Sequence, residues 1–340
     1  MLPTLLCFGL IAAQSFVGGS TFTNPLKDPN GSDPFMVYVN GYYYLTTTTW
    51  EDVQLTRATT LEGLKDGETK LVWKDTDPDR SFNVWAPEFH QIDDTWYCFY
   101  SASNESIWFE KELVLKGTRT PIPSLEPLPL NTYLGGSDIW ESEYTPHAVL
   151  ISDVWAIDAT LLHLNSKTYY IYSKFDSVGQ SLYIAELLSP SSIGESFVLS
   201  QPTEPWEQVM GTVNEGAAPL YHNGSTWLTY SASQCASAEY QLGLLEYDGV
   251  SDPLDRGAWK KSGPVFSSSE GNYGTGHNGF FTSPDGTEVW NVYHATSLET
   301  GICDGQRYTM ATKVSWNADG SPDFGSAPAL GTEVTGPSGE

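Results

Sequence analysis

Basic side chains are scarce in this sequence. Its 340 residues include 16 Lys and Arg against 42 Asp and Glu, a formal net charge of −26. A surface of that sign repels phosphate backbones and anionic headgroups, which excludes nucleic acid and an anionic membrane face as partners. Long apolar runs are missing too. The single one, residues 5–13, is too short to span a bilayer and is followed by small residues, the pattern of a secretory leader. Residues 1–20 are therefore expected to be a signal peptide, and the mature protein to be secreted, extracellular and free of the membrane.

Cysteine is sparse as well. Of four, Cys7 falls in the leader, and Cys98, Cys235 and Cys303 are too few and too far apart for a metal site or a disulfide scaffold. One bridge, Cys235 to Cys303, and a buried thiol at Cys98 are expected. Asn30, Asn104 and Asn223 each open an Asn-X-Ser sequon, which fits an extracellular route. There is no G-x-S-x-G elbow, P-loop, H-E-x-x-H or Cys-x-x-Cys, so the corresponding hydrolase, nucleotide, zinc and redox chemistries lack their motifs.

What is abundant is strand chemistry. The 19 Tyr and 12 Trp occur in short runs with β-branched residues. The stretch SDPFMVYVNGYYYLTTTT, residues 32–49, reads as a hairpin turning at Asn40-Gly41. The unit recurs: turns at Asn40, Asp93, Asn165, Asn223 and Asp285 each lead into an aromatic strand, at spacings of 53, 72, 58 and 62 residues. Repetition on that scale predicts an all-β fold, a five-bladed β-propeller over residues 21–325, with a Gly-, Pro- and Ser-rich tail at 326–340.

Upstream of the turns lie SDPFMVYV, WAPEFHQI, IDATLLHL, NEGAAPLYH and GHNGFFTSP. In a propeller the first strand of each blade lines the axis, and its starting end faces one mouth of the channel. Asp33, Asp158, Glu215 and His277, seven or eight residues before their turns, are then expected to meet; Glu88 falls less well into this register. Acidic residues at strand starts also cap loops. Three in one register on separate blades favour a hub, because clustered like charges are costly without a use for them. Residues just past each second strand, namely Trp50, Asn104, Phe175 and Gln234, are expected at the rim, where Trp and Phe would suit the apolar face of a sugar or could be core.

Two carboxylates across a pocket are the minimum for glycoside hydrolysis, one protonated to meet the leaving oxygen and one ionised to activate water; a third can tune the acid. In sequence order, S-D-P-F at 32–35, W-A-P-E at 85–88, A-I-D-A at 156–159, N-E-G-A at 214–217 and G-H-N-G at 276–279 resemble glycoside hydrolase family 43, the five-bladed arabinanases, arabinofuranosidases and β-xylosidases. The resemblance implies inversion, with Asp33 as general base, Glu215 as general acid and Asp158 as the residue that tunes and orients the acid. It further implies Trp85 as pocket wall, His277 as a hub group binding water or metal, and Arg307 reaching into the pocket. With Trp50, these are the expected substrate-binding residues. Ser32 stands where many members have His or Ala. Lys27-Asp28-Pro29-Asn30-Gly31 echoes retaining invertase-like propellers, but their Arg-Asp-Pro and Glu-Cys motifs are absent, and the stretch reads as a loop.

The resulting expectation is a monomeric, secreted exo-α-L-arabinofuranosidase releasing L-arabinose from α-1,5-arabinan of plant cell walls. β-Xylosidase and endo-arabinanase are alternatives within the family, and a non-catalytic carbohydrate-binding propeller is the alternative outside it. No cofactor is required, though Ca2+ or Na+ could sit at the hub near His277; no metal-ligand spacing is present.

Overall fold

The computed structural model describes residues 19–118 and 136–340. The expected leader lies outside the described residues apart from its last two positions, as do residues 119–135. Five antiparallel sheets follow one another in the chain. The first strands of the blades are Phe35–Val39, Phe82–Ile92, Ala156–Leu164, Asn214–His222 and Tyr273–Thr282. Each pairs with the aromatic strand that follows its turn, as a hairpin repeat dictates. No helix among the described residues is long and apolar enough to cross a membrane.

The core is five-fold because each aromatic strand is buried on both faces. Side chains alternate along a strand, so Cys98 and Tyr100 pack with Tyr44 and Leu55 of blade one. Tyr97 and Phe99, from the same strand, pack with Leu161 and Tyr170 of blade three. Tyr169 and Ile171 then meet Leu228 and Tyr230 of blade four, Trp227 meets Tyr293 and Met310 of blade five, and Trp290 and Val292 meet Met36 and Tyr43 of blade one. This is why the aromatic runs carry so little polar alternation. Cys98 is the buried thiol expected.

Blade five has three strands of its own, and the start of the chain occupies its fourth place. The amide of Leu26 donates to the Thr309 carbonyl, Thr309 N–H to Lys27, and Gly31 N–H to Arg307. The Asn24 side chain both donates to and accepts from the Ala311 backbone. At Gly31 a Cβ would stand 2.2 Å from Thr309 N, so only glycine admits this approach. The stretch around Asp28-Pro29 is thus a loop that closes the ring. Residues 326–340 also join the fold: Glu333–Thr335 pairs with Thr21–Thr23, Ala327 is buried, and Glu340 Oε1 accepts from Leu61 N–H. Composition alone read this segment as a tail, since its Gly and Pro carry no alternation.

Candidate active site

The hub is built by one backbone irregularity repeated in every blade. Asp33, Ala86, Asp158, Gly216 and His277 all have positive φ, between 40° and 62°. In blades two to five the pairing register shifts at this point, the signature of a bulge that re-aims side chains. In the first four blades the position lies seven residues before the turn, so blade two supplies Ala86 there and Glu88 falls two residues beyond, bonded to His90 at 2.7 Å. Left-handed backbone at non-glycine residues costs on the order of 1–3 kcal/mol each. Inter-blade hydrogen bonds offset it. The N–H of Asp33 donates to His294 Nδ1 (3.0 Å), Ala86 to Thr48 Oγ1 (2.8 Å), Asp158 to Ser101 Oγ (3.2 Å) and His277 to Ser231 Oγ (2.7 Å).

Asp33, Asp158 and Glu215 line one pocket of about 550 Å³, with His277 and Arg307 beside them. His277 links two of the three acids: its Nδ1 lies 3.3 Å from Asp33 Oδ1 and 3.8 Å from Asp158 Oδ2. Its ring also lies so close to Gly216 that a Cβ there would come within 3.0 Å of it.

The environments of the acids diverge. Asp33 Oδ1 accepts from Arg307 Nη1 (3.2 Å) and Oδ2 from Thr48 Oγ1 (2.6 Å). Burial alone would raise its pKa, but the Arg307 guanidinium, with His277 and His294 alongside, holds the carboxyl well below the usual range. Glu215 has no cation partner at hydrogen-bond distance. Its Oε1 accepts from Tyr240 OH (3.0 Å) and its Oε2 from Gln180 Nε2 (2.5 Å). Burial pushes it up to about 7, opposed by those two bonds and aided by the charge of Asp33. Asp158 is pushed well above the carboxylate range by burial and by the charges of Glu215 and Asp33. The rise at Glu215 therefore comes first from burial, with Asp33 rather than Asp158 as the neighbouring charge. Burial lowers both His277 and His294, the latter to about 3, so both rings are neutral at pH 7.

Trp50 and Trp85 stand edge to face in the wall, ring centroids 5.7 Å apart. Phe175 and Gln234 also line the pocket. Asn104 does not: its side chain caps a turn, accepting from Ser106 N–H. Cys235 and Cys303 are bridged at the same mouth. Among the described residues no group of three or more His, Cys, Asp or Glu is arranged to hold a metal ion, and the carboxylates nearest His277 are engaged with it or with Arg307.

Four residues of the site escape a reading of the repeat's lead-ins: Thr48, Gln180, Tyr240 and His294. His294 has a signal in the sequence, since YHAT stands where blades two and four have YSAS. Gln180 and Tyr240 have none, because each reaches Glu215 from a different strand or loop.

The Glycosyl hydrolases family 43 profile matches residues 22–322. The extracellular exo-α-(1→5)-L-arabinofuranosidase of Streptomyces avermitilis is 36% identical over 321 residues, covering 90% of this chain. The chain spans only 63% of that relative's length. A second protein of that name, from Streptomyces chartreusis, is 30% identical over 83% of this chain and 85% of its own. The crystal structure of an α-L-arabinofuranosidase from Lactobacillus brevis superposes with a TM-score of 0.80 at 30% identity, covering 92% of this chain and 98% of that one.

Proposed function

The chain belongs to glycosyl hydrolases family 43, and we propose that it is an inverting exo-α-L-arabinofuranosidase, releasing L-arabinose from α-1,5-linked arabinan or arabino-oligosaccharides. The observation that carries this reading is the contrast between two carboxyls in one pocket. Asp33 is held ionised by Arg307, and Glu215 is buried without a cation and raised to about 7. One suits a general base and the other a general acid.

In this mechanism Asp33 takes a proton from water as the water attacks the anomeric carbon, and Glu215 gives its proton to the departing glycosidic oxygen. Neutral His277, between Asp33 and Asp158, orients the water and the acids. Asp158, 3.8 Å from the His277 ring, helps hold that ring in place. Trp50 and Trp85 offer apolar edges to the bound pentose. Proton donor and acceptor are side chains, so the acid–base steps themselves call on no cofactor. It is proposed to act as a monomer. The names of the Streptomyces relatives support the sugar, the linkage and an extracellular setting, and the Cys235–Cys303 bridge suits an oxidising compartment.

The test is arabinose release from α-1,5-arabinotriose, with the anomer first formed read by NMR. Glu215→Gln and Asp33→Asn should each lower kcat by about 10²–10⁴-fold while substrate still binds. Near wild-type turnover by Glu215→Gln would falsify the acid assignment. Net retention would exclude the mechanism, and preference for a xyloside would redirect the sugar.

A further inference from the structure

We propose that Trp108, Trp155 and Phe175 form a stacking shelf for the sugars on the leaving side of the scissile bond, so that the protein reads an arabino-oligosaccharide beyond its terminal residue. The inference rests on the glycosidase reading of the pocket.

Three observations carry it. First, large aromatics are exposed where the pocket opens. Trp108 is 67% and Phe175 49% exposed, and both line the pocket together with Trp155. A soluble protein has no packing reason to present such rings together at a pocket mouth. Second, the rings pack against one another. Phe175 lies 4.6 Å from Trp155 and 6.5 Å from Trp108, each at 39° between planes. The indole N–H of Trp155 donates to the Ile107 carbonyl at 2.8 Å, tying the loop that carries Trp108 to the loop that carries Trp155. The shelf is thus braced before a sugar arrives, which lowers the ordering cost of binding.

Third, the shelf lies on the acid's side. Phe175 is the cross-strand partner of Gln180, and Gln180 Nε2 is the group bonded to Glu215 Oε2. The general acid protonates the oxygen that leaves, so the leaving saccharide must extend past Glu215, toward Gln180 and Phe175. Trp50 follows the second strand of the blade that carries Asp33, and is assigned to the sugar that is attacked. Pentofuranose rings present apolar C–H faces that suit aromatic stacking, and Thr212 and Gln234 in the same lining supply hydrogen-bonding groups beside it.

The experiment compares α-L-arabinofuranosyl fluoride, whose leaving group has no ring to stack, with α-1,5-arabinotriose. Trp108→Ala and Phe175→Ala are made separately and checked for an unchanged melting temperature. In each, the ratio of kcat/KM on arabinotriose to that on the fluoride should fall about tenfold or more relative to wild type. An unchanged ratio in both variants overturns the shelf, whether the individual rates hold or drop together. If wild type releases no arabinose from either substrate, it is the proposed reaction that fails. Calorimetric binding of arabinotriose then still decides the shelf, equal affinity in wild type and both variants overturning it and weaker affinity in the variants supporting it.

Discussion

Gln180 donates to Glu215 Oε2 across 2.5 Å, and the direction of that bond is set by its neighbours. The Ser173 hydroxyl donates to the Asn214 carbonyl, so its oxygen is free to accept, and Gln180 Nε2 bonds to it at 3.1 Å. An amide nitrogen only donates. Oε2 of Glu215 is therefore held as an acceptor, and an acidic proton belongs on Oε1, where Tyr240 OH is the partner.

The first prediction concerns pH. Both donors favour the ionised form of Glu215, so Gln180→Leu should raise its pKa above about 7. The acid must be protonated to work, and activity is lost as pH rises through that value. The alkaline limb of the pH–kcat profile should therefore move up by about half a unit to one unit, with a lower maximum. An alkaline limb that stays put or moves down would show that Gln180 does not govern Glu215.

Gly216 is the second. It has φ of +55° and faces the His277 ring. Gly216→Ala should strain the backbone by about 1–2 kcal/mol and push the ring away from Asp33 and Asp158. Activity should fall well beyond the loss of stability, seen as a kcat drop of about tenfold or more in protein that still melts cooperatively. Equal activity per folded molecule would mean that the ring has room to yield.

Stability should also depend on pH through three buried acids. Burial raises Glu110 to about 9, Glu112 to about 8 and Glu215 to about 7. Each binds a proton more tightly folded than unfolded, so its stabilisation is full below the unfolded pKa of roughly 4.5 and is lost as pH rises through the folded value. Melting temperature should decline from about pH 5 to pH 9 on account of these groups. Glu112→Gln, which keeps partners for Ser101 and Tyr170, should flatten that decline. A parallel decline in the variant would remove Glu112 from the account.

The Cys235–Cys303 bridge closes a loop with a sequence separation of 68 and holds the segment from which the Asp304 carbonyl accepts hydrogen bonds from Ser32 and Arg307. Replacing both cysteines by serine should cost about 2–4 kcal/mol, measured by denaturant unfolding. It should also raise KM through looser placement of Arg307. Unchanged KM with lowered stability would confine the bridge to a folding role.

Part of this was legible beforehand. Asp33 and Asp158 stand seven residues before their turns, as do Ala86 and Gly216, because hairpins of one length put the same point of each strand at the channel mouth. Glu88 fitted poorly for the reason now visible: Ala86 holds its register. Asn104 failed as a rim residue because a local turn claims its amide. The Gly- and Pro-rich segment 326–340 carries no periodic signal, yet it pairs with the first strand.

Local pattern thus determined the repeat, the hairpins and the acids placed at their strand starts, since turn chemistry and side-chain alternation act over a few residues. The state of those acids was decided by the closed ring. Arg307 reaches Asp33 from 274 positions away, and Gln180 and Tyr240 reach Glu215 from two other strands or loops. Only when five blades close do these groups share one buried pocket, where a nearby charge or hydrogen bond is strong enough to separate one carboxyl from another.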